Sequence, residues 1–179
     1  MALERVKLVN PQKILAKLRK YIEILHDAIL NDNIDKAGNF ALVIKRGSYI
    51  VSIRYSISTP YLEITFPFPS NEENTLKIFD ELVKDPKVIF GLREALTSPI
   101  SAFNLHYEED EFRGFSVMTR VFLTRQKNFS IKELDGAIKA VISAGSLGYV
   151  FIHYIIGDKE GEQKIMRDIF QSTPGDMFM

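Results

Sequence analysis

The chain has 179 residues, with 23 Lys+Arg against 23 Asp+Glu, 46% hydrophobic residues and no cysteine. That size favours one domain burying roughly 70% of its unfolded surface, and the apolar content excludes a disordered chain. Zero net charge argues against a dedicated nucleic-acid binder, which carries a basic excess, and the lack of thiols excludes disulfides and thiolate chemistry.

No stretch reaches the ~18 apolar residues of a membrane span, and the N-terminus lacks an apolar signal-type run, so no membrane span and a cytoplasmic location are expected. Many charges without Cys or Trp also suit a thermophile.

Residues 1–9 read as a loose lead-in or a short extra strand. Asn10-Pro11 is an N-cap followed by proline at the first helical position. Ile14, Leu15, Leu18, Ile22, Leu25 and Ile29 recur at helical spacing, which predicts a helix over 11–31. Its early polar face is basic, through Lys13, Lys17, Arg19 and Lys20. Such a face can contact a partner, a membrane surface or nucleic acid, but a solvated helix face is the plainer reading.

The stretch from Phe40 to Pro69 predicts three strands. Phe40, Leu42 and Ile44 alternate with Ala41, Val43 and Lys45, the period of 2 that places neighbouring side chains on opposite faces. Gly47 supplies the positive φ of a short hairpin turn. Val51, Ile53, Tyr55 and Ile57 then alternate with Ser52, Arg54 and Ser56, up to Pro60. Leu62, Ile64, Phe66 and Phe68 alternate with Tyr61, Glu63 and Thr65. Short connections make the strands antiparallel neighbours, and their polar sides predict a sheet covered on one face and open on the other.

Ser70-Asn71-Glu72-Glu73 reads as a capping box opening a helix with Leu76, Phe79, Leu82 and Val83. Asp85-Pro86 restarts a second helix with Val88, Ile89, Leu92 and Leu96. Strands follow over 100–108 and 115–124, joined by Glu109 to Gly114. Ser130-Ile131-Lys132-Glu133 caps another helix, in which Val141, Ile142, Gly145, Tyr149, Ile152 and Ile156 keep the helical period. That period favours one continuous helix, while Gly145 and Gly148 leave open a stop followed by a buried strand over 149–156. Residues 159–171 read as a short amphipathic helix before the tail.

The expected fold is α+β: an antiparallel sheet of five strands, six if 149–156 is extended, in the order α-βββ-αα-ββ-α with helices mainly on one face. Residues 1–157 make the domain and 158–179 a C-terminal extension.

Chemistry is sparse in this pattern. His26, His106 and His153 lie on separate elements without metal-ligand spacing. The carboxylates Glu108 to Glu111 lack the ligand pattern of a calcium loop. Gly145-Ser146-Leu147-Gly148 shares only glycine spacing with an RNA-clamping loop, and phosphate-binding glycine motifs and the serine elbow are missing. No catalytic, metal or cofactor residues are therefore assigned. Arg54 and Arg120 share the polar-face class with Glu63, and are candidates for anion binding on the open sheet face or for cross-strand ion pairs. The thirteen Phe and seven Tyr exceed the needs of a modest core. Phe66, Phe68, Phe170 and Phe178 are accordingly candidates for protein contact.

The order of elements resembles that of type III secretion chaperones and of the YbjN family of sensory transduction regulators, and of uncharacterised archaeal proteins with the same architecture. Gly38-Asn39-Phe40, Ile64-Thr65-Phe66-Pro67-Phe68 and Ser130-Ile131-Lys132-Glu133-Leu134-Asp135-Gly136-Ala137-Ile138 carry the resemblance. It covers roughly residues 11–156, and the C-terminal segment departs from it. It implies a non-enzymatic, often dimeric, protein-binding module, and supplies no catalytic residues.

Overall fold

Asn10 caps the first described helix as the sequence predicts: its side chain accepts from the backbone N–H of Gln12 at 2.9 Å, and Pro11 occupies the first helical position. In the computed structural model, which describes residues 10–68, 73–123 and 129–157, helix α1 spans Pro11–Ile24. The extra strand weighed for residues 1–9, the capping box from Ser70, the amphipathic segment 159–171 and the whole 158–179 extension, with Phe170 and Phe178, lie outside the described residues.

The first correction is at the end of α1, which stops seven residues before the predicted Asn31. His26 adopts a left-handed conformation (φ 59°). Its N–H donates to the Glu23 carbonyl and that of Asp27 to the Ile22 carbonyl, the paired bonds of a Schellman ending. The chain then forms strand β1, Ala28–Ile34. Every residue of β1 is exposed, so no buried face imposes a period of 2, and Leu25 and Ile29 mimic continued helical spacing.

Strands β2 (Phe40–Arg46), β3 (Tyr49–Tyr55) and β4 (Tyr61–Pro67) follow. The β2–β3 turn has Gly47 at φ 59°. Helices α2 (Glu73–Val83) and α3 (Pro86–Leu96) come next, α3 capped by the Asp85 side chain. Strands β5 (Ala102–Glu108) and β6 (Glu111–Phe122) form the second hairpin. Glu109 and Asp110 both take positive φ, so a two-residue turn replaces the longer connection expected there and β6 starts four residues early. Helix α4 runs unbroken over Ile131–Ile155 behind the Ser130–Glu133 capping box, and 149–156 is therefore helical. The six strands of the antiparallel sheet are ordered β1-β2-β3-β4-β6-β5; the sixth strand is β1.

The core lies between one face of this sheet and the helices. Leu42, Ile53 and Ile64 sit opposite one another on β2, β3 and β4 and share a buried cluster with Ile14 and Ile22 of α1, Phe79 of α2, Leu92 of α3 and Ile138 of α4. Among the described residues, α4 is the one helix long and apolar enough to cross a membrane by length and composition, which the sequence reading did not anticipate. In this fold nine of its residues are buried, against β4, β6 and α3.

Two glycines make that packing possible. A Cβ at Gly145 would overlap the Phe66 ring, and one at Gly148 would overlap Leu96. The Gly145-Ser146-Leu147-Gly148 run is thus a close-approach surface inside a helix. It also reassigns two predicted contact residues. Phe66 and Phe68 are only 5% and 7% exposed, Phe66 against Gly145 and Phe68 with its ring 5.2 Å from Tyr149. They are core residues, because α4 covers the end of β4 that the sequence reading left open.

Candidate functional site

The sheet face away from the core carries the polar residues that the alternation placed there. One rung crosses five strands: Asn33 opposite Ala41, Ala41 opposite Arg54, Arg54 opposite Glu63, and Glu63 opposite Arg120. Arg54 and Arg120 are therefore held two strands apart with Glu63 between them. Arg120 turns its guanidinium over the Tyr61 ring, 4.6 Å from the centroid, a cation–π contact. Arg54, with Glu63 and Tyr61, lines a shallow groove of about 430 Å³ that does not include Arg120. A single anion site clasped by both arginines is not formed.

The β1–β2 turn closes one end of this groove. The backbone N–H of Asn39 donates to Asp35 Oδ1 at 2.9 Å, and Asn39 Nδ2 donates to Asp35 Oδ2 at 2.8 Å. The side-chain bond from Asn39 holds the Asp35 carboxyl below its usual value; desolvation opposes it, and the backbone N–H groups of the turn add to the lowering. A depressed folded pKa means that this contribution is present above the unfolded pKa and is lost as pH falls through the folded one. An NMR titration is expected to find the Asp35 midpoint below the ~3.9 of a free aspartate, and Asn39→Ala to move it back up. A midpoint unchanged in that variant would contradict this account.

Other candidate chemistry resolves into structure. Arg19 of the basic α1 face pairs with Asp32 at 2.6 Å, and Lys17 lies over the Tyr21 and Phe129 rings. His26 ends α1, and His153 is buried with its ring 4.6 Å from that of Tyr149. His106 Nε2 lies 3.0 Å from Ser116 Oγ across the β5–β6 pair, a base beside a hydroxyl. No carboxylate orients that imidazole among the bonds of the described residues, and the pair lines none of the grooves described here, so the arrangement is half of a nucleophile–base device. Among the described residues no group of three or more His, Asp or Glu side chains is placed to hold a metal ion.

The sequence reading missed two features. One is a partly buried ion cluster. Arg46 donates from Nε and Nη2 to Asp27, at distances down to 2.6 Å, and from Nη1 to Asp135 Oδ1 at 2.7 Å, tying the α1–β1 loop and α4 to the sheet. Burial alone would lower the Arg46 pKa, but the hydrogen bonds and charge of Asp27, then of Asp135, outweigh it and the pKa rises.

The other is an apolar surface on α3 and α4. Phe90 on α3 is 61% exposed, and Leu147 and Tyr154 on α4 are 51% and 66% exposed; the last two line a groove of about 380 Å³ together with Ala95, Val150 and Phe151 and with Glu94 and Thr97 at its polar side. Gly91 admits the Phe151 ring, which brings the helices close along this groove. The sequence did hold a signal: Phe90 falls off the Val88, Ile89, Leu92, Leu96 stripe, and Leu147 and Tyr154 fall off the α4 stripe.

With this geometry in place, comparison with known proteins adds one relationship of fold. The chain is similar to the crystal structure of an uncharacterized protein from Methanothermobacter thermautotrophicus: TM-score 0.62, 16% identity, over 82% of this chain and 98% of that one. At that identity the likeness concerns the fold alone. No family model and no curated protein matches the sequence.

Proposed function

We propose that this chain is a protein-binding module without catalytic chemistry, chaperone-like or regulatory, that works as a homodimer through the α3–α4 face. The observation that carries this reading is the pair of exposed apolar side chains Leu147 and Tyr154 lining a mostly apolar groove between α3 and α4. Exposed apolar clusters of this kind mark protein contacts. The face offers both projecting rings and a depression, so a two-fold axis lets each copy insert into the other, as an isologous interface requires. Aromatic anchors seated in such depressions supply most of an interface's energy. The resemblance to dimeric, non-enzymatic binding modules points the same way.

Sedimentation equilibrium tests it. The wild type is expected to be dimeric at micromolar concentration, and a Leu147→Asp/Tyr154→Asp variant monomeric with an unchanged circular dichroism spectrum. A monomeric wild type, or a dimer that survives both substitutions, rejects this face as the dimer contact.

A further inference from the structure

We infer that the groove on the open sheet face binds a small zwitterion of the α-amino-acid class, with its carboxylate on Arg54 and its ammonium on Glu63. This inference is independent of the dimer reading, because the groove and the α3–α4 face share no residue.

Arg54 and Glu63 face each other in register on adjacent strands, the placement in which opposite charges ordinarily pair. They do not: among the described residues neither forms an ion pair within 4.0 Å, and Glu63 has none with Arg120 on its other side. Arg120 is instead held over Tyr61. The groove is therefore lined by one guanidinium and two carboxylates: Glu63 lies adjacent to Arg54 and unjoined, and Asp35 at the groove's end is held by Asn39.

Several other polar side chains lining it are already engaged. Asp35 accepts from Asn39, the Asn39 side-chain carbonyl accepts from the Ile57 N–H at 3.0 Å, and Ser56 bonds Ser58 at 2.8 Å. Ala41 sits between Asn33 and Arg54 on the same rung, and its methyl group leaves a depression beside the guanidinium.

This charge pattern selects its ligand. A simple anion attracted by Arg54 is repelled by Glu63, and a simple cation meets the converse. Only a molecule bearing both charges gains from both groups. The residues are direct cross-strand neighbours, so the two charges of the ligand must be close. In an α-amino acid the ammonium nitrogen and carboxylate carbon are two bonds apart, whereas a peptide separates its termini. Charge-assisted bonds at each end then replace the missing ion pair.

The test is a two-dimensional NMR titration of the full chain with glycine and L-alanine, against acetate, methylammonium and N-acetylglycine. Shifts centred on Arg54, Glu63 and Ala41 are expected with the two amino acids at millimolar concentration, and weaker or no shifts with the three half-ligands. Arg54→Gln and Glu63→Gln are each expected to weaken binding roughly ten-fold or more, the size of one lost charge-assisted bond, whereas Arg120→Gln leaves it unchanged. Acetate binding as well as glycine, Glu63→Gln binding like the wild type, or no shift at the groove with either amino acid would each overturn the inference.

Discussion

Replacing Arg46 with methionine is expected to destabilise the fold by about 3–5 kcal/mol, because it strands the Asp27 carboxylate in a site where that side chain is only 3% exposed. For a chain of this size that loss corresponds to a fall in Tm of roughly 6–20 °C, a large share of the 5–15 kcal/mol that typically holds a domain together. The effect is asymmetric. Asp135 is 24% exposed and also pairs with Lys139 at 2.9 Å, so Asp135→Asn costs less. Arg46→Lys falls between, since a point-like ammonium cannot span two carboxylates as the planar fork does. Removing both buried charges, as Arg46→Met with Asp27→Leu, recovers most of the loss if the cost lies in the orphaned carboxylate. Urea unfolding of the four variants followed by circular dichroism distinguishes these cases; equal losses for Arg46→Met and Asp135→Asn would refute the assignment of the cost to Asp27.

The same cluster shows where sequence reading stops. Asp27, Arg46 and Asp135 are separated by 19 and 89 positions, and nothing local marks them as partners; Arg46 reads simply as part of a turn. Strands β2, β3 and β4 were legible because each buries alternate residues against one core, so burial and sequence period coincide. Strand β1 has no buried face and left no such trace; it exists because the free edge of β2 supplies its hydrogen bonds. The continuity of α4 was readable for a physical reason too. Gly145 and Gly148 keep to the buried side of the helix because they face Phe66 and Leu96, whereas a chain break would have put them out of phase.

The polar rung was legible as a class of residues, Arg54, Glu63 and Arg120 facing away from the core, but its order across the strands was not. Register depends on the turn between β3 and β4 and on the pairing of β4 with β6, which closes only after two intervening helices. The aromatic residues misled for a related reason. A count of Phe and Tyr says how much apolar area there is, not which helix will cover it. α4 takes Phe66 and Phe68 into the core, and among the described residues the exposed rings are instead Phe90, Tyr107, Phe122 and Tyr154.

Phe66 and Gly145 give the sharpest test of that reassignment. As a core ring seated on a glycine, Phe66→Ala is expected to cost about 3–5 kcal/mol through lost burial and the cavity left behind. Gly145→Ala alone drives a methyl into the ring and costs about 1–3 kcal/mol by overpacking, offset by ~1 kcal/mol of improved helix propensity. In the double variant the new methyl enters the space the ring has vacated. Gly145→Ala then becomes neutral or stabilising, and the two changes couple by roughly 1–3 kcal/mol in favour of the pair. A surface-exposed Phe66 predicts the opposite: a loss within about 0.5 kcal/mol for Phe66→Ala and additive behaviour in the cycle. Chemical denaturation of the wild type, both single variants and the double variant measures the coupling directly. Additivity would place Phe66 outside the core and return it to the contact surface that the alternation alone suggested.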